Sequence, residues 1–377
     1  MNEMLTTKNI FMSGPDVGIS EEKIVIDAIR NGWYGKDAYS YVELFEKEFS
    51  KFHDREYALM TPNCTTSMHL LLAGLGISGE DEIIAPECTW IGSVAGVKYL
   101  GAKLVFADID KENWCLNAET IKSKITSKTK AVIVVNLYGN MPDYEEIIKL
   151  CKSKNIFLIE DAAESLGSMK NGIRSGKFGV GSVFSFHRTK TITTGEGGIL
   201  LLDDKKLYER CKFLRDHGRK PGSFYNTEVT FKYMPFNVQA ALGYAQFLRI
   251  DELLNKKRFI YKRFTKNLER INDIQLNPEP ENTVNGAWAT ALILGKSYKL
   301  KNEKLMEELN KFNLPSRPFF YPLSSLPAFN ESKLYKKLNP VAYDISSRGI
   351  VLPCALNLNI DQIDHYSEKL VQILKKI

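Results

Sequence analysis

No two of the six cysteines form a C-x-x-C pair. Cys64, Cys88, Cys115, Cys151, Cys211 and Cys354 are scattered, which argues against a zinc site or a disulfide framework. No metal is therefore expected. No apolar stretch is long enough to span a bilayer, and the start MNEMLTTKNIFMSGPDVG lacks a signal-peptide core, so a reducing, cytoplasmic setting is expected. Lys and Arg are interspersed with Asp and Glu, without the basic block of a nucleic-acid arm, so the formal net charge of +6 does not point to nucleic acid. That excess suits an anionic, phosphorylated substrate. The glycine cluster GEGG at Gly195–Gly198 is neither a dinucleotide fingerprint nor a P-loop, which removes the nicotinamide dehydrogenases.

What is present reads as a two-domain soluble protein: 377 residues are long for one hydrophobic core. Helices are expected from about Glu21 to the stretch before Ala58, and another from Thr65, where Met68, Leu71, Leu72 and Leu75 recur at helical spacing. EIIAPE, AKLVFADI, AVIVVNLYG and IFLIEDAA are short runs rich in β-branched residues, as in strands buried on both faces of a parallel sheet. AETIKSKI and PDYEEIIKLCKSK read as crossover helices, and GSVFSFH and GGILLLDD as two more strands. A long helix from Asn237 bridges to the rest. The expected organisation is a large α/β domain over residues 1–248, including an N-terminal lead-in, and a smaller α+β domain over 249–377.

Open α/β sheets bind ligands at the carboxyl ends of their strands, and three polar groups fall there. Asp161 closes IFLIED, where a carboxylate suits a cationic ring nitrogen such as that of pyridoxal phosphate, or else caps a helix. Lys190, in HRTKTITTGEGG just after a strand, is placed for partial burial, which favours a nucleophilic amine able to form a Schiff base. The alternative is a solvated loop lysine. NCTT at Asn63–Thr66 opens a helix and offers N–H groups and hydroxyls to a phosphate, or Asn63 or Thr65 merely caps it. Trp90, in PECTW, stacks on an aromatic cofactor or sits in the core.

Taken in order, FSFHRTKTITTGEGG, EDAAESLGS and NCTTSMHL resemble the DegT/DnrJ/EryC1/StrS family of sugar aminotransferases. The resemblance extends through GWYGKDAYSYVELFEKEFSKF, NVQAALGYAQF, SRPFFYPLSSLPAF and SSRGIVLPCALNL. EDAAESLG and SRPFFYP place it nearest the perosamine-synthase-like branch. The resemblance implies the aspartate-aminotransferase fold, pyridoxal 5'-phosphate and a homodimer with shared active sites. The amino donor would be L-glutamate. It implies that Lys190 carries the cofactor and shuttles a proton, while Asp161 keeps the pyridine nitrogen protonated. Ser185 and the backbone of Cys64 and Thr65 would hold the phosphate, and Trp90 would stack on the ring. Glu164 stands where many relatives have Gln, near the ring's 3-oxygen. His187, Arg188, Arg317 and Tyr321 are expected at the substrate.

Departures bear on that substrate. In FKYMP, Lys232 stands for an Asn that reaches the neighbouring subunit's phosphate, and Met234 for an Arg. Ser324 replaces a common His, and Arg188 a small residue. The keto substrate is expected to be nucleotide-linked, with a small phosphorylated ketone as the alternative. A regulatory protein keeping the fold without turnover is the reading from another class.

Overall fold

The computed structural model describes residues 9–376; the first eight residues, part of the start read above as carrying no signal core, lie outside the described residues. Two helices, α1 (Ile19–Asn31) and α2 (Ser40–Phe52), lead into β1 (Tyr57–Thr61). Then follow α3 (Cys64–Gly74), β2 (Glu82–Pro86), α4 (Gly92–Tyr99), β3 (Lys103–Ala107), α5 (Ala118–Lys122), β4 (Thr129–Val135), α6 (Tyr144–Lys154) and β5 (Phe157–Asp161). A small hairpin, β6 (Met169–Lys170) and β7 (Ile173–Arg174), precedes β8 (Gly181–Ser185) and β9 (Gly198–Leu202).

These strands make a seven-stranded sheet in the order β1-β9-β8-β5-β4-β2-β3. It is parallel from β3 to β8; β9 alone runs antiparallel to its neighbours β8 and β1. Side chains alternate between its faces. Leu59, Ile83, Ile133, Ile159, Val183 and Leu200 join the core with α3 and α4, while Ile84, Val132, Val134 and Leu158 pack beneath α6. Burial on both faces explains why these strands read as continuous apolar runs. The expected α/β fold with a mostly parallel sheet is what the structure has.

After α7 (Lys205–Arg215), the single long helix expected from Asn237 is instead two: α8 (Asn237–Phe247) and α9 (Ile250–Leu268). The break has a local cause. Arg249 leaves the helical region at φ −106°, ψ 17°, and Asp251 and Glu252 fill the first turn of a new helix. Acidic residues there favour the positive end of the helix dipole. Arg249 then ties the corner to Glu21 at 2.8 Å and Glu252 at 2.8 Å.

The remaining chain carries β10 (Ile274–Leu276), β11 (Thr283–Val284), β12 (Ala291–Leu294), α10 (Asn302–Asn310), β13 (Arg317–Pro318), α11 (Ser332–Leu338), α12 (Pro340–Arg348), β14 (Gly349–Val351) and α13 (Ile360–Leu374). A four-stranded antiparallel sheet, β10-β12-β14-β13, packs against α9, α10 and α13. Several contacts cross between the halves of the sequence. β11 pairs with β6, and the N-terminal segment runs beside residues 354–356 through Cys354 N–H to Met12 O and Leu356 N–H to Gly14 O.

Two buried side chains, Arg55 and Glu160, set the approach to β8. Arg55 donates to the carbonyls of Gly176 and Phe178, to Ser182 Oγ and to Asp203. Glu160 accepts from the N–H groups of Gly176 and Phe178 and from Ser182 Oγ. The two side chains thus grip the same turn. Arg55→Leu is expected to cost about 1–3 kcal/mol of stability, because it leaves the buried carbonyls of Gly176 and Phe178 without their donor. Chemical denaturation measures this, and a loss below about 1 kcal/mol would show that the turn holds without the guanidinium.

Candidate active site

At the carboxyl edge of the large sheet, β2, β4, β5 and β8 end around one cavity. Its lining includes Asn63, Cys64, Thr65, Trp90, Gly92, Ser93, Asp161, Glu164, Ser185, His187, Lys190 and Glu196. Nine of the residues singled out from the sequence therefore meet in one place. The backbone explains why. Parallel strands present their C-terminal residues along one edge, and β9, though antiparallel, begins there too, so the loop that carries Lys190 is returned to the same rim.

Lys190 Nζ lies 3.3 Å from Glu164 Oε1, with both side chains almost enclosed. It is no solvated loop lysine. The other oxygen of Glu164 accepts the Tyr138 N–H at 2.9 Å. Asp161 is buried and accepts the Ala163 N–H at 3.0 Å. No helix starts behind it, since residues 162–168 form turns, so the helix-cap alternative is not realised. Burial pushes the carboxyls of Asp161 and Glu164 above the ordinary carboxylate range, and the attraction of Lys190 only partly offsets this. Two buried carboxylates share one amine, which is an electrostatic setting for a further cation.

At the start of α3 the capping alternative does hold, for one residue. Asn63 Oδ1 accepts the Thr66 N–H at 2.9 Å. The N–H groups of Cys64 and Thr65 have no acceptor within the helix and line the cavity together with the hydroxyls of Thr65 and Ser185. A Cβ on Gly92 would come within 3.0 Å of both Thr65 Oγ1 and Trp90 Cδ1, and one on Gly198 within 2.4 Å of the Cys64 nitrogen. The missing side chains keep this cradle open. Trp90 is 62% exposed at its mouth and is no core residue.

Pyridoxal phosphate makes three demands: a carboxylate for its ring nitrogen, an amine for its aldehyde, and N–H and hydroxyl donors for its phosphate. Asp161, Lys190 and the α3 start supply these around one cavity, so the donor set fits the group. No set of three or more His, Cys, Asp or Glu side chains among the described residues is arranged to hold a metal ion. No helix among them is long and apolar enough to cross a membrane.

Residues 15–371 match the model of the DegT/DnrJ/EryC1/StrS aminotransferase family. The chain belongs to this family. It is a pyridoxal-phosphate-dependent aminotransferase. Among its relatives, the GDP-perosamine synthase of Escherichia coli O157:H7 is 35% identical over 94% of this chain and 96% of its own length. That of Vibrio cholerae is 35% identical over 93% and 95%. Helicobacter pylori PseC, an aminotransferase involved in the biosynthesis of pseudoaminic acid, superposes with a TM-score of 0.90 over 98% of this chain and 100% of its own. At 22% identity that likeness attests the fold, the type I fold of these enzymes.

Other expected residues fall outside the cavity lining. Arg188 is exposed and makes no ion pair among the described residues. Arg317 is exposed and donates to Ser13 Oγ at 3.2 Å; Tyr321 is half exposed. Lys232 sits on the hairpin that follows α7 and pairs with Asp216 at 2.7 Å. Its expected role concerns a second chain. Ser324, which stands for the common His, is fully buried, and its Oγ donates to Glu87 at 2.6 Å. Sequence reasoning missed Ser93, which lines the cavity with Asp161 and hydrogen-bonds Thr89 Oγ1 at 2.9 Å. Its place three residues after Trp90, in the opening of α4, was the available signal.

Asp161 yields a stability test. Its folded pKa lies above the unfolded value of about 3.9, so its contribution is complete below that pH and is lost as pH rises through the folded value. Asp161→Asn removes this dependence. The melting temperature of the cofactor-free wild type is therefore expected to fall relative to the variant as pH is raised from about 4 toward neutrality. A pH-independent difference in calorimetry would refute the raised value.

Proposed function

We propose that this enzyme moves an amino group from L-glutamate to the ketone of a nucleotide-linked keto-deoxysugar, as a homodimer with shared active sites. The carrying observation is the convergence of Lys190, Asp161 and the open α3 start on one cavity. The substrate class rests on the two relatives named GDP-perosamine synthase, which makes a GDP-linked keto sugar the first candidate.

When bound, the cofactor supplies an electron sink conjugated to the carbon that gains or loses the amino group. The chain's own residues do the rest. Lys190 Nζ carries the proton to and from that carbon, and Asp161 holds the proton on the pyridine nitrogen. Cys64 and Thr65 N–H, with the hydroxyls of Thr65 and Ser185, hold the phosphate. Trp90 covers the ring, and Glu164 steadies the amine of Lys190 at 3.3 Å. His187, Arg188, Arg317 and Tyr321 are assigned to the substrate side.

Exposed apolar groups support the dimer. On the hairpin after α7, Phe224 and Val229 are fully solvent-facing, and Trp33 and Tyr34 are exposed beyond α1. Groups of this size usually mark a contact surface. We assign Lys232, on the same hairpin, to the partner's phosphate.

The purified holoenzyme is expected to absorb in the visible, to lose that band on addition of L-glutamate, and to regain it with a GDP-linked keto-deoxysugar. Lys190→Ala should lack the band and sustained turnover. Recovery of the band with a small phosphorylated ketone alone would replace the nucleotide sugar by the simpler substrate. No response to glutamate would overturn the donor.

Shared sites are tested by mixing inactive subunits. A mixed dimer of Lys190→Ala and Lys232→Ala chains has one site with both lesions and one with neither, so activity should partly return. Mixtures no more active than either parent, with mixed dimers demonstrated by mass spectrometry, would show that each site is built from one chain.

A further inference from the structure

Trp288 lies 98 positions beyond Lys190 in the sequence and belongs to no motif, yet its ring is the surface beneath the Lys190 amine. Nζ stands 3.7 Å from the centroid of the indole. A cation over an aromatic face is held by the ring quadrupole, and most strongly where water is excluded. Here both partners are enclosed: Trp288 is 8% exposed and the Lys190 side chain 13%.

Residue Trp288 is held at several points. Its Nε1–H donates to the carbonyl of Thr189, the residue before Lys190, at 2.8 Å. Its face lies parallel to Tyr138, with centroids 6.0 Å apart and planes at 5°. Its carbonyl accepts from Lys257 Nζ at 3.1 Å, a fully buried ammonium on α9 that also reaches the carbonyl of Cys354. Just before it, Ala287 is in the left-handed region at φ 57°, with its N–H held by Asn285 Oδ1 at 2.7 Å. A non-glycine residue persists there only when its surroundings over-determine it. That expense of structure serves a side chain whose exposed feature is one aromatic face, turned to the catalytic amine.

We propose that Trp288 is a positioning residue that docks the Lys190 amine whenever that amine is not bonded to the cofactor. The inference rests on the reading of Lys190 given above. In a transamination the lysine is released in each half reaction, and it must then stay within reach of the carbon whose proton it moves. Glu164 holds the amine at 3.3 Å, and the indole centroid lies 3.7 Å from it. The dock thus keeps a free, flexible side chain from straying into solvent or folding back on the sheet.

The cofactor-free protein gives the cleanest test. Lys190 is labelled at one fixed pH with trinitrobenzenesulfonate, and its rate is followed by peptide mass spectrometry in wild type, Trp288→Phe and Trp288→Leu. Loss of the aromatic face in Trp288→Leu should speed labelling about 2- to 30-fold, the range that a ring-held cation implies. Trp288→Phe keeps a face but loses the N–H to Thr189, and should stay near the wild-type rate. Equal acceleration in both variants would assign the effect to the lost Thr189 contact and overturn the proposal, as would no change in Trp288→Leu. If Trp288→Leu fails to give a cooperative melt, Trp288→Met takes its place. In the reconstituted enzyme, Trp288→Leu should lower kcat with KM for the donor nearly unchanged, and raise the isotope effect with α-deuterated glutamate. Reduction of the holoenzyme with borohydride, followed by peptide mapping, tests the underlying reading separately. Cofactor fixed on a lysine other than Lys190 would sink both, whereas cofactor on Lys190 with indifferent Trp288 variants would sink the dock alone.

Discussion

An unbalanced charge account inside the sheet's carboxyl edge governs the rest of the structure. Asp161 and Glu164 are both buried, both resist ionisation, and have one amine between them. Carboxylates in such a place are costly unless something cationic joins them. A protonated pyridine ring is such a cation, and the donors at the start of α3 are the matching anchor for its phosphate. The strands, the loop carrying Lys190 and the turn gripped by Arg55 and Glu160 can all be understood as holding these charges at fixed spacing.

Legibility in the sequence followed distance along the chain. Asp161, Ser185 and Trp90 each stand at the end of a strand whose apolar run is visible by itself, and the NCTT turn at the start of a helix, so the edge they share could be read before the fold was known. Lys190 was readable for the same reason. Trp288 was not, because nothing local marks it. It reaches the site through a left-handed Ala287, a contact to Thr189 and a buried Lys257, three tertiary facts. The contact of Ser324 to the buried Glu87 is a tertiary fact of the same kind.

The helix break at Leu248–Arg249 has the same lesson in the backbone. Helical periodicity runs through the junction, so pattern alone sees one helix. The interruption is set by acidic residues starting a second dipole and by Arg249 gripping Glu21 from a distant part of the chain. The hairpin β6–β7 and its partner β11 were illegible for want of length, two residues being too few for any alternation to register.

Every side chain named in the cavity lining lies between positions 63 and 196, whereas Arg317 and Tyr321 lie far beyond. The lining of the cavity is thus written in one continuous stretch of the gene, and a change in the later stretch leaves that lining as it was. Trp288 is where that independence ends: it belongs to the later stretch by sequence and to the earlier one by contact.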